Sequence, residues 1–220
     1  MPSSTPCYRR SFLFLALLSA CSSAPGTVDG AGTAGGGGDA AAMQALRRDL
    51  APPGWGPGAD HCAWRGVTCA GGGGAVTAID LPRRGLRGDF AAAAELRELA
   101  RLDLSANSLS GGVPQALGAL TRLEFLDLSM NALAGAVPPA LGGASRLRFL
   151  NLSNNALSGA IPDELRGLKG LQELQISGNN LTGALPGWLA GLPGLRVLSA
   201  YENALSGPSG TSSTTTSRCC

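Results

Sequence analysis

The chain is short of the residues on which most catalysis depends. Histidine occurs once, at His61, which leaves little room for His-dependent acid-base chemistry or a multi-histidine metal site. No Ser/His/Asp arrangement can be built around it. Charge is sparse too: 15% of the 220 residues are charged and the net charge is +2. These charges are scattered instead of gathered in a basic block, so nucleic acid and acidic membrane surfaces are poor partners. The apolar run from Phe12 to Leu18 falls well short of the roughly 20 residues that cross a bilayer. The tetraglycines starting at Gly35 and Gly71 lack a P-loop lysine, and the sequence holds no kinase nucleotide loop, catalytic loop or Mg-binding motif. No catalytic residue, cofactor or metal is therefore expected.

What is present is a repeat. Asn107, Asn131, Asn155, Asn179 and Asn203 stand 24 residues apart, each followed two positions on by leucine. Four full units begin at Leu99, Leu123, Leu147 and Leu171, and the second reads LEFLDLSMNALAGAVPPALGGASR. A fixed period of this kind signals a solenoid. Positions 1, 4, 6 and 11, as in Leu123, Leu126, Leu128 and Leu133, point inward and stack coil on coil; each buried leucine contributes about 1.5 to 3 kcal/mol. The asparagine sits at a sharp turn, where its amide can satisfy backbone groups of the neighbouring coil that have no access to water. Gly111, Gly135, Gly159 and Gly183 suit turns of positive φ. Pro114, Pro138, Pro162 and Pro186 stop strand pairing beyond them.

Upstream of the repeats the text changes character. Arg9 and Arg10, the apolar run and small residues through Ala24 have the layout of a secretory signal peptide over residues 1–24. Leu18-Ser19-Ala20-Cys21 also matches a bacterial lipobox. Residues 25–38, rich in glycine and alanine, read as a disordered spacer. Residues 39–75 read as a cap over the first coil, which a solenoid needs to shield its apolar end. Asp39 is placed to cap a helix over residues 40–50 with Met43, Leu46 and Leu50 on one face, and Pro52 and Pro53 stop it. Trp55, Trp64, Cys62 and Cys69 complete the cover. In a secreted chain the Cys62 and Cys69 pair favours a disulfide; a metal site using His61, Cys62 and Cys69 is the rival, short of the four ligands structural zinc takes.

Within the strands, positions 2, 3, 5, 7 and 8 are expected on the concave surface, because alternate side chains face opposite sides. This aligns Ala100, Glu124, Arg148, Gln172 and Arg196 in one row, Arg101, Phe125, Phe149, Glu173 and Val197 in a second, and Asp103, Asp127, Asn151, Gln175 and Ser199 in a third. Arg101, Asp103, Glu124, Phe125, Asp127, Arg148, Phe149, Glu173 and Gln175 are the candidate peptide- or protein-binding residues, since exposed aromatics beside charges mark interaction patches. The plain alternative is that Phe125 and Phe149 stack on each other and that Glu124 and Arg148 form a solvated pair.

Two N-x-S/T sequons, at Asn151 and Asn180, are glycosylation candidates in a secreted protein. Asn180 lies past the strand turn; Asn151 lies on the expected concave face, where the LNLS repeat text generates its sequon. Arg87-Gly88-Asp89 spells an integrin-binding tripeptide, but Gly88 occupies the ordinary turn position. The repeat text covers residues 76–207 and gives way over 208–220 to a Ser/Thr tail ending in Cys219-Cys220, read as disordered and as a sign of truncation.

The LxxLxLSxNxLSGxxPxxLGxL unit resembles the plant-specific leucine-rich repeat, and Trp55 with HCAWRGVTC resembles the N-terminal cap of plant leucine-rich repeat receptor-like kinases. The stretch from Leu171 to Pro208 is similar to ectodomains around the vascular peptide receptor kinases. The resemblance implies an α/β solenoid with a parallel β-sheet on its concave face and a helical, disulfide-linked cap. It also implies an extracellular or cell-surface recognition module for a peptide or protein ligand, or a co-receptor; the membrane span that follows such ectodomains in the family is not found in this sequence. The family's kinase domain has no counterpart in these residues, so activity is not carried over. A secreted inhibitor of cell-wall-degrading enzymes, similar to polygalacturonase-inhibiting proteins, is the alternative.

Overall fold

The computed structural model describes residues 37–57, 60–71 and 74–206. The signal segment, most of the spacer, the Ser/Thr tail and Cys219-Cys220 lie outside them. The described chain opens with helix α1 (Gly37–Leu50), whose inner face carries Ala42, Met43, Leu46 and Leu50, all buried. The helix starts before Asp39, so Asp39 is not the helix-capping residue the sequence led us to expect, and Gly37 and Gly38 belong to the helix. Asp39 is instead buried, with Oδ2 accepting the Val76 backbone N–H at 2.7 Å.

Strand β1 (Val67–Cys69) pairs antiparallel with β2 (Val76–Asp80), and from there every strand is parallel to the last. Strands β3 (Arg101–Asp103), β5 (Phe125–Asp127), β7 (Phe149–Asn151), β9 (Glu173–Gln175) and β11 (Val197–Ser199) add in order, giving a sheet β1-β2-β3-β5-β7-β9-β11. Register follows the repeat: Arg101, Phe125, Phe149, Glu173 and Val197 are successive partners.

A second parallel sheet was not anticipated. Strands β4 (Ser110–Gly111), β6 (Ala132–Ala136), β8 (Ala156–Gly159), β10 (Asn180–Ala184) and β12 (Ala204–Ser206) pair in the order β12-β10-β8-β6-β4. Their period-2 pattern was hidden, because only one inward leucine, such as Leu133 or Leu157, alternates with small exposed residues. Each coil then returns through a short 3-10 helix, such as Gln115–Ala119, Pro139–Gly143 and Asp163–Gly167. The turn prolines sit just before these helices with φ near the value their ring imposes, −63° at Pro114 and −65° at Pro138.

Between the two sheets runs one leucine column. Leu126, Leu128, Leu133, Leu150, Leu152 and Leu157 are fully buried, as the inward positions require. The column thins at its last described coil, where Leu198 and Leu205 are only half-buried, whereas the equivalent Leu174 and Leu181 are buried. No described coil stacks on that side of them.

Asparagine does the expected work. Asn155 Oδ1 accepts the Leu133 N–H of the preceding coil at 3.0 Å, while its Nδ2 donates to the carbonyls of Leu128, Leu152 and Ser153. Asn107, Asn131, Asn179 and Asn203 bridge coils in the same way. One residue before each asparagine or its equivalent the backbone turns left-handed, at Ala106, Met130, Asn154, Gly178 and Glu202. Four of these five are not glycine, so composition gave no sign of it; the asparagine's hydrogen bonds on both sides hold the turn.

Candidate functional site

The concave sheet presents its middle strand position to the core and its flanking positions outward. In β5 this leaves Phe125 and Asp127 half-buried around a fully buried Leu126. Stacked strands stand about 4.8 Å apart, close to the thickness two aromatic rings need. Phe125 and Phe149 accordingly lie face to face, with centroids 4.3 Å apart and planes 3° from parallel. One strand back, the Arg101 guanidinium carbon lies 3.7 Å from the Phe125 centroid. Arg101 also donates from Nε to Asp80 Oδ1 at 2.5 Å and from Nη2 to Asp103 Oδ2 at 3.5 Å.

The result is a three-layer stack of one cation and two rings, its cation held by two carboxylates. Beyond Phe149 the next rung is Glu173, whose Oε2 accepts from Gln175 Nε2 at 3.4 Å. Asp103 and Asp127 are fixed by their own turns: each Oδ1 accepts the backbone N–H and the hydroxyl of the serine two residues on, Ser105 or Ser129. The surface thus offers an aromatic step flanked by Asp80, Asp103, Asp127 and Glu173, with Arg101 the cation inside it. Such a step can take an apolar or cationic side chain and receive hydrogen bonds from a backbone laid across the strands.

Phe125 and Phe149 stack on each other, as the plain alternative expected, and they remain partly exposed. Glu124 and Arg148 meet at 3.6 Å at the exposed border of the sheet, a geometry worth little by itself. The third row needs correction at Asn151. It is 9% exposed, its Oδ1 accepting the Ser153 N–H and its Nδ2 donating to Asp127, so neither a glycan nor a ligand is readily accommodated there. The serines of position 7, expected to face outward, are buried in three coils, at Ser129, Ser153 and Ser177. The Ser129 hydroxyl folds back onto Asp127 of its own turn, and the Ser177 hydroxyl pairs with that of Ser199 in the next coil. Asn180, the second sequon, is exposed at the start of β10.

Asp80 was missed. Ile79-Asp80-Leu81 repeats the Leu102-Asp103-Leu104 text one coil earlier, and that register was the available signal; irregular spacing in the first coil obscured it. At the other end of the cap, Cys62 and Cys69 are disulfide-bonded, which removes the rival metal site because neither sulfur is a free thiolate. Trp55 and Trp64 stack at 4.7 Å beside the bridge, and Trp55 Nε1 donates to the Arg65 carbonyl. Gly88 of the Arg-Gly-Asp text has φ +101°, and a Cβ there would lie 2.3 Å from the Asp49 carbonyl oxygen. Packing against the cap helix accounts for that glycine.

Family models describe the same plan. A leucine-rich repeat N-terminal domain matches residues 37–70, single leucine-rich repeats match 98–120 and 122–144, and a multi-repeat model matches 145–205. The leucine-rich repeat receptor-like tyrosine-protein kinase PXC3 of Arabidopsis thaliana is 46% identical over 84 residues, 38% of this chain and 9% of that protein. A chain of the Arabidopsis thaliana BIR3–SERK2 complex is 32% identical, with a TM-score of 0.68 over 77% of this chain and 96% of that one. The ectodomain of the Arabidopsis receptor kinase HAESA, solved with an extended IDA peptide hormone ligand, is 29% identical, with a TM-score of 0.67 over 76% of this chain and 29% of its own. The matches span about a tenth or less of the curated kinases' length.

Proposed function

Since the chain belongs to the leucine-rich repeat family of plant receptor ectodomains, we propose that it is an extracellular recognition module that binds a peptide or protein on its concave sheet. The Arg101–Phe125–Phe149 stack carries the reading. A sheet needs no exposed aromatics to hold its register, and these two stand at the centre of the strand ladder among carboxylates. The disulfide and the exposed Asn180 sequon suit an oxidising, secretory compartment. The relatives' names support a place in the recognition portion of a receptor-like kinase, with peptide hormones or a second ectodomain as the partner class. Catalysis is assigned to none of the residues described.

The test uses the chain, expressed through a secretory pathway and purified from the medium, as bait for a random 12-residue peptide display library. Enriched peptides should lose affinity about tenfold or more against the Phe125→Ala/Phe149→Ala variant, as removal of central aromatic anchors does. Unchanged affinity would reject the patch.

A further inference from the structure

A second surface lies on the flank of the sheet, where each coil climbs from its 3-10 helix into the next strand. There Arg146, Arg148, Lys169 and Glu124 stand around Gly170 and Gly194 at an open cleft of about 620 Å³. Its shape follows from the repeat text. The residues just before the strands include Gly170 and Gly194, which raise no side chain, while Arg146, Arg148 and Lys169 stand up around them.

The charges of this flank are unevenly matched. Arg122 meets Glu98 at 2.8 Å and Arg148 meets Glu124 at 3.6 Å, but among the described residues neither Arg146 nor Lys169 meets a carboxylate. Both are exposed. The cleft therefore holds three cations against one carboxylate, and that carboxylate is already shared with Arg148. The concave rows beside it are opposite in sign, with Asp80, Asp103, Asp127 and Glu173 against Arg101. A ligand crossing from flank to sheet meets a positive pocket first.

The geometry points to this cleft as the docking site for an acidic segment of a peptide or protein partner, with two neighbouring carboxylates received by Arg146 and Lys169 and the segment's backbone lying over Gly170. Arginine receives a carboxylate through paired N–H donors, and lysine does so as a point charge. A Cβ at Gly170 would have only ordinary contacts, with the Leu147 and Ser145 carbonyl oxygens at 3.8 and 3.9 Å. The cleft can therefore be filled without straining the coil. The inference rests on the chain being a binding module and adds the chemistry of one ligand segment.

The probe is a fluorescent hexapeptide of alternating Glu and Asp, followed by polarisation against the secreted chain in 50 and 150 mM salt. Saturable, salt-weakened binding is expected. Arg146→Gln/Lys169→Gln should weaken it about tenfold, whereas Arg97→Gln/Arg122→Gln, with the same change of net charge outside the cleft, should change it less than about threefold. Gly170→Trp should block binding without any change of charge. Equal losses in the two charge pairs, no effect of Gly170→Trp in a chain with native circular dichroism, or no binding by the unaltered chain would each overturn the site. Tighter binding of polygalacturonate, displacing the hexapeptide, would overturn the assignment to a peptide. If peptides selected on the concave sheet lose affinity in the Phe125/Phe149 variant while the hexapeptide is indifferent to Arg146 and Lys169, the sheet reading stands and this one falls.

Discussion

The carboxylate of Asp39 accepts the backbone N–H of Val76 at 2.7 Å in a buried setting, so the cap helix is fastened to the strand from which the whole sheet is laid down. A charged acceptor on a buried amide is stronger than a neutral one, and its removal leaves that amide unpaired. Asp39→Ala should therefore cost about 2 to 3 kcal/mol in urea unfolding. Asp39→Asn, which keeps an acceptor, should cost less.

The asparagine ladder makes a sharper prediction. Asn155→Leu removes the acceptor for the Leu133 N–H and the donor to three carbonyls, none of which can turn to water without opening the coil. A loss of about 3 kcal/mol is expected. The fall in denaturation midpoint should match that of the core truncation Leu150→Ala, for which about 2 to 5 kcal/mol is normal.

Coil spacing on the returning side depends on glycine. A Cβ at Gly142 would lie 2.1 Å from the Glu164 carbonyl oxygen, whereas at Gly187 it would meet nothing within 4 Å. Gly142→Ala should cost more than about 2 kcal/mol, because two backbones must separate. Gly187→Ala should stay within about 0.5 kcal/mol of the unaltered chain. Thermal melts of the two variants side by side decide this.

The sequons should behave differently. Asn180 is exposed, whereas the Asn151 amide is spent on Ser153 and Asp127. In chain secreted from plant cells, peptide mapping after deglycosylation should find the mass shift at Asn180 and none at Asn151 in the folded fraction. Occupancy of Asn151 in that fraction would contradict the packing described.

Much of the fold was legible because a repeat states each rule several times. Leucine at positions 1, 4, 6 and 11 named the core, and the asparagine, glycine and proline positions named the turns; all fell where one coil must hand over to the next. The concave rows were legible for the same reason, as the register Arg101, Phe125, Phe149, Glu173 shows. What did not show was contact between coils at positions of weak pattern. The second sheet sets one inward leucine per strand among alanine, serine and glycine, whose pairing reflects neighbouring coils more than their own preference. Asp39 read as a helix cap because it precedes a helix pattern, and only the approach of β2 gives its carboxylate another donor.

By itself the sequence determined that the chain is a solenoid of 24-residue coils, that leucine fills its interior and that its strands align side chains in rows, because those follow from period and alternation alone. The tertiary structure decided which of the aligned residues are available. Stacking brought Arg101 onto Phe125 between Asp80 and Asp103, withdrew Asn151 into its own turn and, among the described residues, left Arg146 and Lys169 without carboxylates around a glycine floor. Availability depends on the distances between neighbouring coils, and a one-dimensional period fixes their order but not their contacts.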